Sequence, residues 1–139
     1  MDKLTSDDAF ELGNQFRDTA IALGDWRISN LSCLSKAQWD ELDEREVMLL
    51  NIASSIYTAA VGMVLQDSQA ALTRLQSSVE SAKLAIKHIA TLKQALDLAS
   101  ALVLLAGTVY SGNAAAIPGA IVALEDAAEA IATPGEPSE

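Results

Sequence analysis

The residues best suited to chemistry are a run of acids, a single histidine and a single cysteine. The acidic run WDELDERE spans residues 39–46, and carboxylates at this density could coordinate a metal ion or attract a basic partner. Asp40 and Glu44 are four residues apart and so share one face of a helix. The Glu-x-x-His pattern of di-metal carboxylate bundles is absent, which disfavours a metal site.

Two interpretations of this run remain. Acids in the first turns of a helix complement the positive end of its dipole, which is a purely structural role. The same side chains could form a docking surface for a basic partner, because opposite charge steers association. The candidate partner-binding residues are Asp40, Glu41, Asp43 and Glu44.

Neither His88 nor Cys33 belongs to a recognisable catalytic constellation. His88 follows Lys87 on a predicted helix, where a lone imidazole beside a cation is typical of a surface position. Cys33 lies in a short predicted loop with no histidine nearby in the sequence. The chain has no glycine-rich phosphate loop and no G-x-S-x-G, H-E-x-x-H or Cys-x-x-Cys motif. We therefore expect a protein that is not an enzyme and needs no cofactor or metal.

Composition favours an all-α protein of one domain. The chain has 139 residues, of which half are apolar, and only two each of Phe, Trp and Tyr. Its bulk comes from Ala, Leu, Ile and Val, which suits closely packed helices better than a β-sandwich. This length suits one domain, predicted at 1–132 and followed by a flexible tail at 133–139.

The formal net charge of −10 disfavours nucleic acid as a partner, because the phosphate backbone is itself negative. Segment 74–93 is mildly basic, but no aromatic residues alternate with its bases. Lys83 and Lys87 share one helix face, whereas Arg74 points elsewhere. We expect these three bases to pair with acids of neighbouring helices.

The first residues, MDKLTSDDAF, predict a cytoplasmic protein. They are acidic where a secretory signal requires a positive segment followed by an apolar one. A single cysteine cannot form an intramolecular disulfide, which agrees with a reducing compartment.

Two helix starts carry specific signals. Ser6 is a predicted N-cap, and the first helix is predicted to end at Gly24. Ser35 and Gln38 form an S-x-x-Q capping box, which predicts that the second helix starts at Lys36. The apolar stripe of the first helix consists of Ala9, Leu12, Phe16, Ala20 and Leu23.

The chain between residues 36 and 106 has no proline and one glycine, so it is expected to be helical. A single helix of that length would be exceptional in a globular protein. The polar cluster QDSQ at 66–69 is the predicted break, and a capping box beginning near Ser77 is the alternative.

These boundaries predict a helical bundle built on a long antiparallel hairpin, with shorter N- and C-terminal helices. The two arms of the hairpin are 36–66 and 69–109. A turn follows at 110–113, and Pro118 opens the last short helix.

Residues 98–124 form the most apolar segment, because no Asp, Glu, Lys, Arg or His lies between Asp97 and Glu125. A membrane-spanning helix needs about 20 consecutive apolar residues, and glycine and proline interrupt this segment. It is therefore either a hairpin buried in the bundle or one that can move into a bilayer. The candidate residues for membrane or apolar contact are Leu102, Val103, Leu105, Val109 and Tyr110.

The expected function is binding to another protein, as an immunity, chaperone or adaptor protein does. The contact would use the acidic run or exposed apolar positions, and helix packing could also join copies of the chain. The alternative is a membrane-inserting protein that uses the hairpin 98–124. In architecture alone, that alternative is similar to helical pore-forming toxins.

Overall fold

The computed structural model describes residues 2–3, 6–58, 64–65, 68–112 and 114–132, and within them it contains five α-helices. The prediction of an all-α bundle is confirmed. The only extended pairing in this part of the chain joins two-residue strands, β1 (Asp2–Lys3) and β2 (Val64–Leu65), in antiparallel register. The helices are α1 (Ser6–Ser29), α2 (Lys36–Thr58), α3 (Ser68–Ala85), α4 (Leu92–Ser111) and α5 (Ile117–Ala132). Short 3-10 turns occupy Leu31–Cys33, Ile86–His88 and Ala114–Ala116.

The five helices pack in a closed ring around one hydrophobic core. α1 packs against α2 and α3, α2 against α4, α4 against α5, and α5 against α3. All five helices contribute buried side chains to the core. The predicted apolar stripe of α1 lies within it, and Leu12 and Phe16 are completely inaccessible to solvent.

The predicted long hairpin is not confirmed. Among the described residues, α2 packs mainly on α1 and α4, and α3 packs mainly on α1 and α5. Val64–Leu65 belong to β2 rather than to a helix, and α3 begins at Ser68. The alternative break near Ser77 is wrong, because Ser77 lies inside α3. The N-terminal helix is not short either, since α1 has 24 residues and α2 has 23.

The predicted helix 69–109 consists of two helices, because a second capping box interrupts it. The Thr91 hydroxyl accepts a hydrogen bond from the Gln94 amide at 3.2 Å, and the Gln94 side chain accepts one from the Thr91 amide at 3.3 Å. The Trp26 indole donates to the Ile89 carbonyl at 3.3 Å, which satisfies an acceptor between the two helices. The sequence signal for this boundary is T-x-x-Q at residues 91–94, which lies inside the predicted arm 69–109.

The predicted start of α2 is confirmed, but the predicted end of α1 is wrong. The Ser35 hydroxyl accepts from the Gln38 amide at 3.1 Å, and the Gln38 side chain accepts from the Ser35 amide at 2.8 Å. α1 continues through Gly24 to Ser29. Gly24 makes room for α2, because a Cβ there would lie 2.9 Å from the Glu46 Oε1 atom.

The predicted turn at 110–113 is only partly correct, because Tyr110 and Ser111 still belong to α4. Gly112 is the C-cap of α4 and adopts the left-handed conformation, with φ of 75°. α5 begins at Ile117, so Pro118 is in its first turn, where it removes no intrahelical hydrogen bond. Residue 113 and the predicted tail, 133–139, lie outside the described residues.

Candidate functional site

The four predicted partner-binding acids are exposed on the first turns of α2. We call Asp40, Glu41, Asp43 and Glu44 the acidic face. Their side chains are between 47% and 70% exposed. The capping box that starts α2 therefore also places these carboxylates in solvent at one end of the bundle.

Basic residues partly neutralise the acidic face. Lys36 Nζ lies 2.8 Å from Asp40 Oδ2, and this contact raises the pKa of the Lys36 ammonium. Arg45 lies 3.6 Å from Glu41 and 3.8 Å from Glu44. Exposed pairs of this kind contribute little stability, and the carboxylate oxygens stay accessible. The acids outnumber these two bases, so the face keeps an excess of negative charge.

Glu46, the last acid of the sequence run, is not part of this surface. Its side chain is 9% exposed and accepts two hydrogen bonds from Arg27, at 2.6 and 2.9 Å. The Arg27 guanidinium also lies 4.2 Å from the Trp39 ring centroid and 3.4 Å from Asp43. The hydrogen bond to Glu46 is the main cause of a raised pKa for Arg27. We call Arg27, Trp39, Asp43 and Glu46 the Arg27 cluster.

The Arg27 cluster was missed by sequence reasoning, because its central pair is 19 residues apart in the chain. No helical periodicity connects residues at that separation. The cluster ties α1 to α2 through a bidentate pair that specifies both distance and orientation. It therefore holds the turn between the two helices in one position.

Large apolar side chains are also exposed on the helices and the turn that carry these charges. Ile28, which directly follows Arg27, is 61% exposed, and Leu31, which begins the 3-10 turn into α2, is 58% exposed. Val47 and Met48 are 46% and 42% exposed on α2. Apolar side chains bordered by charged ones are typical of protein interfaces.

The apolar segment 98–124 forms most of the packed pair α4 and α5. Leu102, Leu105 and Val109 are buried, Val103 is half-buried, and Tyr110 is 46% exposed. Three of the five candidate contact residues therefore belong to the core. Of the described helices, only α4 is long enough and apolar enough to cross a membrane. In the bundle, 39% of its most apolar 18-residue stretch is buried.

His88 and Cys33 are both exposed. His88 lies in the 3-10 turn after α3, and Cys33 ends the turn before α2. Within the described residues, no group of three or more His, Cys, Asp or Glu side chains could hold a metal ion.

Arg74, Lys83 and Lys87 were each predicted to pair with an acid of a neighbouring helix. The prediction is correct for Arg74. Arg74 on α3 donates to Glu125 on α5 at 3.0 Å. Lys83 and Lys87 have no ion-pair partner in the described part of the chain. They line a groove of about 750 Å³ between α1 and the end of α3, with Ala22, Trp26, Ile86 and Ile89.

Comparisons with known protein families, with curated proteins and with solved structures found no match for this chain. Its class is therefore defined by the fold itself, an all-α bundle whose described helices form a ring around one core. The surface features that distinguish it are the acidic face with its apolar neighbours and the groove between α1 and α3.

Proposed function

We propose that the protein is a non-enzymatic helical bundle that binds another protein through the α1–α2 end. This end comprises the acidic face together with Ile28 and Leu31. The observation that carries the proposal is the exposure of these two large apolar side chains, 61% and 58%, at the end of α1 and in the turn that leads into the acidic face of α2. Apolar residues of this kind supply the centre of an interface, and charged residues supply its rim.

Charge makes a basic partner the expected one. The chain carries a formal charge of −10, and the acidic face adds a local concentration of negative charge. Such a surface raises the rate of encounter with a positive partner, whereas the apolar contacts mainly determine how slowly the complex dissociates.

The Arg27 cluster supports the proposal by holding the site in place before binding. Arg27, the residue before Ile28, is joined to Glu46 on α2 by a largely buried ion pair at 2.6 Å, which restrains the end of α1 against α2. A surface that needs little ordering loses less conformational entropy on association. An adaptor, chaperone or immunity protein would each use a site of this kind.

The test compares crosslinked capture by wild-type protein and by variants in cells of its source. The variant Ile28→Ser with Leu31→Ser should lose a specific protein that the wild type captures. The matched control Leu104→Ser removes a side chain that is 54% exposed on α4 and should retain that protein. Capture that is identical for all three proteins, or lost equally in both variants, would count against the α1–α2 end.

Charge reversal then tests the electrostatic part of the proposal. The captured protein is purified, and the rates of its association and dissociation are measured. Asp40→Lys, Glu41→Lys and Glu44→Lys together should slow association and reduce its salt dependence, with a smaller effect on dissociation. The free energy of unfolding is measured alongside, because the same change also weakens the start of α2. Unchanged association at low salt by a folded variant would remove the acidic face from the proposal.

The membrane-inserting alternative rests on a different observation. α4 has the length and apolar composition of a spanning helix. Insertion would require α4 and α5 to leave the core that they share with the other helices, because Leu102 and Leu105 are fully buried there. This requirement makes protein binding the better supported function.

A further inference from the structure

The groove between α1 and α3 stands out because of its two lysines. Lys83 and Lys87 have no ion-pair partner among the described residues. Every other base whose side chain is described lies in an ion pair, namely Arg17, Arg27, Lys36, Arg45, Arg74 and Lys93. In an acidic protein, two unpaired ammonium groups in one groove are available to an external anion.

The floor of the groove is apolar. Ile86 and Ile89 are 3% and 8% exposed, and Ala22 lies on the α1 side. The Trp26 indole N–H already donates to the Ile89 carbonyl, so the rest of the ring offers apolar surface. Leu84, which is 53% exposed, stands at the rim. An occupant would therefore gain hydrophobic contact along the floor.

The charges restrict the head group of that occupant. Lys83 and Lys87 are four residues apart, so their flexible side chains can converge on one carboxylate. Asp25 and Glu80 also line the groove and have no ion-pair partner among the described residues. They would repel further negative charge, so a ligand with one anionic group fits better than a polyanion.

The dimensions suit a small ligand. The lining residues of α1 run from 22 to 29, which corresponds to about 10 Å along the helix. The volume of about 750 Å³ falls within the usual range of ligand sites.

We propose that this groove binds a free single-chain amphiphile with one anionic head, of the medium- or long-chain carboxylate class. The carboxylate contacts Lys83 and Lys87, and the alkyl chain lies over Trp26, Ile86 and Ile89. The groove adjoins the α1–α2 end, because Ser29 and Asn30 also line it. Its lining includes neither Ile28, Leu31 nor the acidic face, and this proposal does not depend on the proposed protein-binding function.

The test is calorimetric titration of the full chain with dodecanoate below its micelle concentration. We expect saturable binding of one molecule, accompanied by a change in tryptophan fluorescence. Lys83→Gln with Lys87→Gln should weaken binding by about tenfold, because two charge-assisted contacts are lost. The control Lys36→Gln with Lys93→Gln makes the same change in charge at exposed bases outside the groove and should bind like wild type. Circular dichroism verifies that each variant is folded.

Two further ligands test whether the alkyl chain and the anionic head group both contribute to the affinity. Octanoate should bind more than about tenfold more weakly than dodecanoate, because it has four fewer methylene groups to bury. Dodecyltrimethylammonium has the same alkyl chain and the opposite charge, so the two lysines should add nothing to its affinity. The proposal would be overturned if dodecanoate showed no saturable binding, or if both double lysine variants lost the same affinity for it. Binding only to phosphatidylglycerol vesicles would overturn it as well.

Discussion

Single residues determine how α1 and α2 meet. Gly13 and Gly24 are positions where a Cβ would lie 2.7 Å from the Tyr57 ring and 2.9 Å from the Glu46 carboxylate. Glycine therefore permits the close approach that the Arg27–Glu46 pair requires. The pair is almost completely buried, so each partner depends on the other for compensation of its charge.

Removing Arg27 should be much more damaging than removing a comparable surface base. Arg27→Met leaves Glu46 buried without its partner and should cost ~3–5 kcal/mol in free energy of unfolding. The control Arg45→Met breaks pairs at 3.6 and 3.8 Å on an accessible surface. It should cost ~0–1 kcal/mol in urea denaturation. Equal, small losses for both variants would show that the buried pair is not important for stability.

Glu125 should make stability depend on pH. Hydrogen bonds from Arg74, and secondarily from Ser78, lower the pKa of its carboxyl below the ordinary 4.5, against an opposing effect of burial. Its contribution is therefore fully present above pH 4.5 and is lost as the pH falls through the lowered pKa of the folded state. Glu125→Gln should be less stable than wild type at neutral pH, and the difference should shrink on acidification.

Denaturation series at several pH values would measure this difference. The control Asp126→Asn removes the neighbouring exposed carboxylate, and its difference from wild type should vary less with pH. A Glu125→Gln difference that stays constant as the pH falls would mean that the link between α3 and α5 contributes no acid-sensitive stability.

At the scale of elements, the pair α4 and α5 is where the core and membrane interpretations differ. The turn at Gly112 reverses the chain, and both helices direct apolar side chains into the common core. Leu104 and Leu105 are neighbours in sequence, but Leu104 is 54% exposed and Leu105 is fully buried. This contrast provides a matched pair of substitutions on one helix.

Leu105→Asp should unfold the protein, because it buries a carboxylate without a partner. The expected loss exceeds ~4 kcal/mol, which is at the extreme of single substitutions. Leu104→Asp places the same group in solvent and should leave the helical circular dichroism spectrum unchanged. A folded Leu105→Asp protein, together with liposome permeabilisation by the wild type, would favour the membrane-inserting alternative instead.

At the scale of the whole molecule, one core connects all five helices. Each helix packs on at least two others, so no helix can leave without exposing the side chains of its neighbours. Trp26 donates a hydrogen bond to Ile89 in the segment between α3 and α4, and Trp39 lies against Arg27 of α1, so their fluorescence reports on two different contacts.

Unfolding should therefore occur in one cooperative step. Far-ultraviolet circular dichroism and tryptophan fluorescence should give coincident denaturation curves, as expected for a single domain of this size. Separate midpoints would indicate two units that fold independently and would contradict the assignment of one domain to residues 1–132.

The amino-acid sequence by itself determined where several helices begin and which faces they bury. The Ser35–Gln38 box, the apolar stripe of α1 and the turn before Pro118 each depend on residues within a few positions of one another, so the pattern is visible in the chain. Thr91 and Gln94 show that this local information also extended to a break that the prediction missed.

Only the tertiary structure decided which helices became neighbours and what happened to individual charges. Glu46 and Glu44 belong to the same acidic run, yet Glu46 is buried against Arg27 and Glu44 is in solvent. Likewise Arg74 forms an ion pair with Glu125, whereas Lys83 lines the groove and has no ion-pair partner among the described residues. The physical reason is that these outcomes depend on side chains far apart in sequence, whose approach is settled by packing the apolar faces around a common core.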